Sequence, residues 1–134
     1  MTRNLLLISN STNPGEEYLG WPRPYIKDFF ESFDVNKILF VPYAGVSLAP
    51  NLQASYDKYE TNVQGVFEKL GFEIYSIHHM ADPVKAVQEA EAIAIGGGNT
   101  FHLVSEMHKL GIMDAIRNRV LEGIPFAGWS AGSN

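Results

Sequence analysis

Five residues near the end of the chain have the types and spacing for nucleophilic chemistry. Residues 128–132 read GWSAG, a G-x-S-x-G pattern that sets a serine on a sharp turn between a strand and a helix. Such a turn projects the Ser130 oxygen into a cleft, and small neighbours keep strand and helix from clashing. A serine hydroxyl is a poor nucleophile until a base takes its proton. The backbone N–H of the next residue, Ala131, would point at the oxygen of the attacked carbonyl. The bland reading is a glycine-rich strand end with an incidental serine.

A second glycine turn, GGGNT at residues 96–100, follows another apolar run. Its N–H groups, at a helix N-terminus, could bind a phosphate or other anion. They could instead supply the second donor of an oxyanion hole, typically a few kcal/mol of transition-state stabilisation. The remaining reading is a tight turn between strand and helix. No G-K-[ST] follows, so this is not a Walker motif, and it is not G-x-G-x-x-G either. Two glycine turns side by side are what acyl transfer requires.

The histidines are His78, His79, His102 and His108. His102, in the first turn after GGGNT, is the best placed to act as a base, which must approach within about 3 Å of the serine oxygen. Its alternative is a solvent-facing position near a helix start. His78 and His79, read as strand neighbours, point to opposite faces. A shared metal is therefore not expected, and no His, Asp or Glu set shows ligand spacing. Asn10, Ser11 and Thr12 end the first apolar run, where they can touch substrate or bond the local backbone. Tyr18, Trp21 and Tyr25 can line the cleft or pack over a core edge.

Positioning these groups needs a scaffold, and the apolar pattern supplies one. Short apolar runs at residues 5–9, 37–43, 72–77, 91–98 and 125–129 read as strands, several apolar on both faces. Between them lie helical patterns. Pro24 can open a helix carrying Ile26, Phe29, Phe30 and Phe33. Tyr56, Tyr59, Val63, Val66, Phe67 and Leu70 form one helical face, with Gly71 at the C-terminal cap. Asp82-Pro83 reads as an N-cap and first helical residue. Thr100 can cap a helix running to Leu110 and closed by Gly111, and Ile112, Ile116 and Val120 line another closed by Gly123. Alternating strands and helices predict a doubly wound, mostly parallel sheet with helices on both faces.

The chain has 134 residues, 46% hydrophobic and 19% charged, with a net charge of −5 and no cysteine. One domain is expected at this length. A disulfide framework and a cysteine nucleophile are excluded. No basic run stands out, so nucleic acid is not an expected partner. No segment approaches the roughly 18 apolar residues of a membrane span, and the N-terminal apolar run is too short for a signal peptide. The expected compartment is the cytoplasm.

Five segments together resemble a known family: LLLISNSTNPG (residues 5–15), FVPYAGV (40–46), HHMADP (78–83), AIGGGNTFHL (94–103) and FAGWSAGSN (126–134). In order and spacing they are similar to the peptidase E family, serine peptidases that cleave dipeptides with an N-terminal aspartate. The resemblance implies a flavodoxin-like three-layer fold similar to the class I glutamine amidotransferase domain. It makes Ser130 the nucleophile and assigns the oxyanion hole to the N–H groups of Gly98 and Ala131. It sets Asn99 and Thr100 at the cleft edge as helix cap or substrate neighbours. It implies a small Asp-X peptide as substrate, with no metal and no organic cofactor.

In that family the catalytic histidine and its acidic partner follow the serine, as does the cationic group expected to meet the substrate's aspartate side chain. The expectation is therefore a single α/β domain over residues 1–134, lacking the C-terminal part and inactive alone. A whole protein would be a monomer or loose dimer; a chain this short would expose a sheet edge and associate. Two other readings stay open: a flavodoxin-like module holding a phosphate-bearing ligand over GGGNT, and an interaction protein with an incomplete site.

Overall fold

The computed structural model describes residues 3–9, 12 and 15–129. Five strands form one parallel sheet: β1 (Asn4–Ile8), β2 (Lys37–Val41), β3 (Glu73–Ser76), β4 (Ile93–Ile95) and β5 (Pro125–Trp129). Their spatial order is β1-β5-β4-β2-β3. Five helices connect them: α1 (Arg23–Glu31), α2 (Leu52–Lys69), α3 (Pro83–Glu89), α4 (Thr100–Lys109) and α5 (Ile112–Leu121). The chain runs outward from β1 to β3, then turns back through β4 to β5. The result is the doubly wound fold expected from the alternating pattern.

The two passes cover opposite faces. On one, Ile26 and Phe30 of α1 and Tyr59, Val63 and Phe67 of α2 pack on Ile38, Phe40, Ala94 and Trp129. On the other, Val87 of α3, Leu103 and Met107 of α4 and Ile116 of α5 pack on Leu39, Ile93, Ile95 and Phe126. The alternation of side chains along β2, with Ile38 and Phe40 on one face and Leu39 and Val41 on the other, is what fills both cores.

Local chemistry sets the helix ends. The Asn51 side chain accepts the Ala54 N–H at 2.8 Å and starts α2; Gly71, at φ +95°, follows its C-terminus in a conformation that suits glycine. Asp82 caps α3 by accepting the Lys85 N–H at 3.1 Å, with Pro83 as the first helical residue.

Two local expectations are corrected. The cap of α4 is Asn99, not Thr100: the Asn99 side chain accepts the His102 N–H at 3.0 Å, and Thr100 is already the first helical residue. The segment Ile77–His79 is a turn of 3-10 helix rather than the end of a strand. Successive residues of such a turn do not alternate between faces, so His78 and His79 lie on one side, ring centroids 3.9 Å apart. One face of β1 is open. Among the described residues it is an edge strand paired with β5, and Leu5 and Leu7 are 42% and 52% exposed while Ile8 is buried.

Among the described residues no helix is long and apolar enough to cross a membrane.

Candidate active site

In an open parallel sheet, ligands gather at the carboxyl ends of the strands where the winding reverses. Here β2 and β4 are neighbours whose following helices, α2 and α4, cover opposite faces. A cavity of about 610 Å³ opens at that point. Its walls come from the loop after β2 (Ala44, Gly45, Val46, Ser47 and Leu48), the turn after β4 (Gly97, Gly98 and Asn99), Tyr59 and Asn62 of α2, Tyr18, and Trp129 at the end of β5. No charged side chain lines it among the described residues.

Each wall is fixed by an identifiable contact. The buried Ser55 hydroxyl donates to the Gly45 carbonyl at 2.6 Å and accepts the Leu48 N–H at 3.0 Å, which pins the β2 loop to the start of α2. The Asn99 N–H donates to the Ala44 carbonyl at 2.8 Å, which pins the β4 turn to the β2 loop. Gly98 makes this approach possible. It sits at φ +139°, and a Cβ there would collide with the Ala44 carbonyl oxygen. Among the described residues the N–H groups of Gly97 and Gly98 have no hydrogen-bond partner, whereas the neighbouring N–H of Asn99 is used.

Trp129, the residue before Ser130, is buried. Its ring stacks on Phe40 at 6.0 Å between centroids and on Phe67 at 6.2 Å. Its indole N–H donates to the Tyr18 hydroxyl at 2.8 Å. Tyr18 donates to the Tyr59 hydroxyl at 3.3 Å, and Tyr59 donates to the Gly97 carbonyl at 3.0 Å. A continuous line of hydrogen bonds thus joins the residue preceding the serine to the glycine turn. Burial raises both the Tyr18 and the Tyr59 phenols above the ordinary phenolic value, Tyr18 strongly. Both therefore stay protonated at neutral pH and keep their donors.

The sequence-derived site divides as follows. Gly98 and Asn99 line the cavity; Thr100 is exposed at the start of α4. Ser130 and Ala131 lie outside the described residues, as do Asn10 and Ser11. Thr12 bonds the local backbone, accepting the Leu19 N–H at 3.1 Å. Tyr18 lines the cavity, Trp21 packs on the core, and Tyr25 is exposed. His102 is half-buried, with Nε2 2.6 Å from the Tyr56 hydroxyl, rather than facing solvent. Tyr59, Ser55 and the β2 loop were not foreseen as parts of the site. The available signal was the pairing of a bulky residue on α2 with glycines at 45 and 96, which lie beneath its ring.

Comparison with known proteins places the chain in a family. The model of peptidase family S51 matches residues 5–134. A peptidase E from Nostoc sp. is 46% identical over 134 residues, covering all of this chain and 52% of that protein. A peptidase E from Actinobacillus pleuropneumoniae is 41% identical over 132 residues, covering 98% of this chain and 54% of that protein. The crystal structure of a peptidase from an acI-B1 Actinobacterium superposes with a TM-score of 0.73 at 20% identity, over 97% of this chain and 55% of that one. A putative peptidase E from Listeria monocytogenes superposes with a TM-score of 0.63 at 21% identity, over 97% and 59%. These two likenesses concern the fold. The chain spans about half the length of the curated relatives it matches. With the family match running over nearly every residue, the chain belongs to peptidase family S51.

Proposed function

We propose that this chain supplies the nucleophile and oxyanion hole of a serine exopeptidase that removes N-terminal aspartate from dipeptides. Ser130 attacks the peptide carbonyl, its proton passing to a histidine supplied from beyond residue 134. The N–H groups of Gly98 and Ala131 receive the negative charge that develops on the carbonyl oxygen. The C–N bond then breaks, the amine leaves with the proton, and water releases aspartate from the acyl-enzyme. Asn99 and Thr100 border the bound peptide.

The observation that carries this reading is the cavity at the winding reversal, which has Gly98 on one wall and Trp129, the immediate neighbour of Ser130, on another. The relatives named peptidase E support a peptide as substrate, and the N-terminal aspartate rests on the resemblance of the five sequence segments.

The test uses a protein extended to the relatives' full length and assayed for release of aspartate from an Asp-X dipeptide. Turnover is expected, with complete loss in Ser130→Ala at unchanged melting temperature. Gly98→Ala is expected to lower kcat, because a Cβ there displaces the turn from the Ala44 carbonyl. Turnover that survives Ser130→Ala overturns the assignment. So does a full-length protein that binds inorganic phosphate at GGGNT and hydrolyses nothing.

A further inference from the structure

On the side of α2 that meets β3, four side chains with metal-binding atoms converge, none of them lining the cavity. Asp57 and Glu60 lie one turn apart on α2, so they share a face. His78 and His79 come from the 3-10 turn that follows β3. The His78 Nε2 lies 2.8 Å from Asp57 Oδ1. The His79 Nε2 lies 2.8 Å from Glu60 Oε1 and 3.5 Å from Asp57 Oδ1. One ligand atom from each of the four lies within 4.8 Å of all the others.

Those separations bracket the spacing a tetrahedral ion requires. With bonds of about 2.0–2.1 Å to nitrogen and oxygen, neighbouring ligand atoms sit about 3.3 Å apart. Admitting an ion in place of the shared protons takes an opening of the two 2.8 Å pairs by about half an ångström and an inward shift of any pair that stands wider than about 3.3 Å.

The surroundings already aim these groups. Ser76 is fully buried, and its hydroxyl bonds His78 Nδ1. With the proton of His78 on Nδ1 and donated to Ser76, Nε2 turns its lone pair toward the carboxylates. The Ser76 N–H donates to Glu60 Oε2 at 3.0 Å, which leaves Oε1 for the cluster. One buried serine thus orients a ligand from each of the two elements. His78 and Glu60 are 2% and 14% exposed, while His79 and Asp57 are about half exposed. The inner pair is therefore held, and the outer pair is open to an arriving ion.

From this geometry we infer that Asp57, Glu60, His78 and His79 form a binding site for a divalent transition ion of the zinc type. Two imidazoles and two carboxylates suit such an ion better than magnesium or calcium, which favour oxygen alone. The site joins α2 to the end of β3. Its role is to brace that joint, and it stands whether or not the peptidase reading holds.

The experiment takes the untagged chain, stripped with EDTA and dialysed, and titrates it with zinc chloride by calorimetry. One zinc per chain is expected to bind, with a rise in melting temperature. His79→Ala and Asp57→Ala remove the open ligands without touching the core. Each is expected to weaken binding by about tenfold or more and to abolish the thermal shift. His108→Ala, on the exposed side of α4, is expected to bind like the parent. Cobalt(II) in the same site is expected to give the visible absorption of a tetrahedral centre. The absence of saturable binding, or binding that is unchanged in both ligand variants, overturns the proposal and leaves the four groups as ion pairs only. Loss of binding in His108→Ala overturns it as well.

Discussion

The Tyr59 hydroxyl donates to the Gly97 carbonyl at 3.0 Å, and this bond ties α2 to the glycine turn beside the cavity. It is the last link in the line from Trp129 through Tyr18. Two elements that are distant in sequence, the end of β5 and the turn after β4, are thereby joined through Tyr18 and Tyr59, two side chains that belong to neither. In an oxyanion hole built from the two strand ends, their separation sets the placement of the donors.

Replacing Tyr59 by phenylalanine keeps the ring and removes the link. The Gly97 carbonyl loses its donor and the Tyr18 hydroxyl its acceptor, in a largely buried setting. The expected loss of stability is about 1–3 kcal/mol, read as a lower midpoint in urea with an unchanged slope. A midpoint equal to the parent's would show that the line carries no energy.

Alkaline pH gives a second expectation. Burial, followed by the nearby Tyr56 and Glu106 charges, pushes the Tyr43 phenol up to about 12. The ordinary value is about 10, so above that pH the unfolded chain gives up a proton that the folded chain retains. The stabilisation is fully present below about pH 10 and is lost as the pH rises toward about 12. Burial also raises Tyr18 and Tyr59, which act in the same direction. The melting temperature is expected to be flat to about pH 10 and to fall above it, with a shallower fall in Tyr43→Phe. Phenolate absorbance that develops fully while the fold is intact would contradict this.

The open face of β1 gives a third. Leu5 and Leu7 project from an edge strand and are 42% and 52% exposed. An apolar edge is a template for pairing with another chain. The 134-residue chain is expected to self-associate with rising concentration, and the double change Leu5→Lys and Leu7→Lys to suppress this. Light scattering coupled to size exclusion reads the difference. Equal mass for parent and variant at every concentration would remove β1 as the cause.

Period and punctuation made most of the scaffold legible. Four of the five apolar runs contain their strand, and the first misses Asn4 of β1; a parallel strand covered on both faces leaves little room for polar residues, as Ile93–Ile95 shows. The α2 helix was readable from Tyr56 to Leu70 because one face alone is buried. The glycine turn was readable as a ligand-facing feature because Gly98 adopts a backbone conformation that other residues rarely take.

What sequence could not give were pairings across the chain. Tyr59 read as one more core residue, since nothing local announces that its hydroxyl reaches Gly97. The cluster at His78 and His79 was hidden because their strand-like neighbours suggested alternation, while a 3-10 turn puts them side by side. The exposure of Leu5 and Leu7 depends on where β1 lies in the sheet, which a run of leucines does not encode.

The ring of Tyr59 lies where side chains at Gly45 and Gly96 would project. The three positions are consequently bound to one another in mutational history. Enlarging either glycine is blocked while the tyrosine stands, and shrinking the tyrosine first leaves a hole beneath the site. A lineage can exchange this trio for another only by passing through a less stable protein, so an alternative solution must arrive nearly all at once.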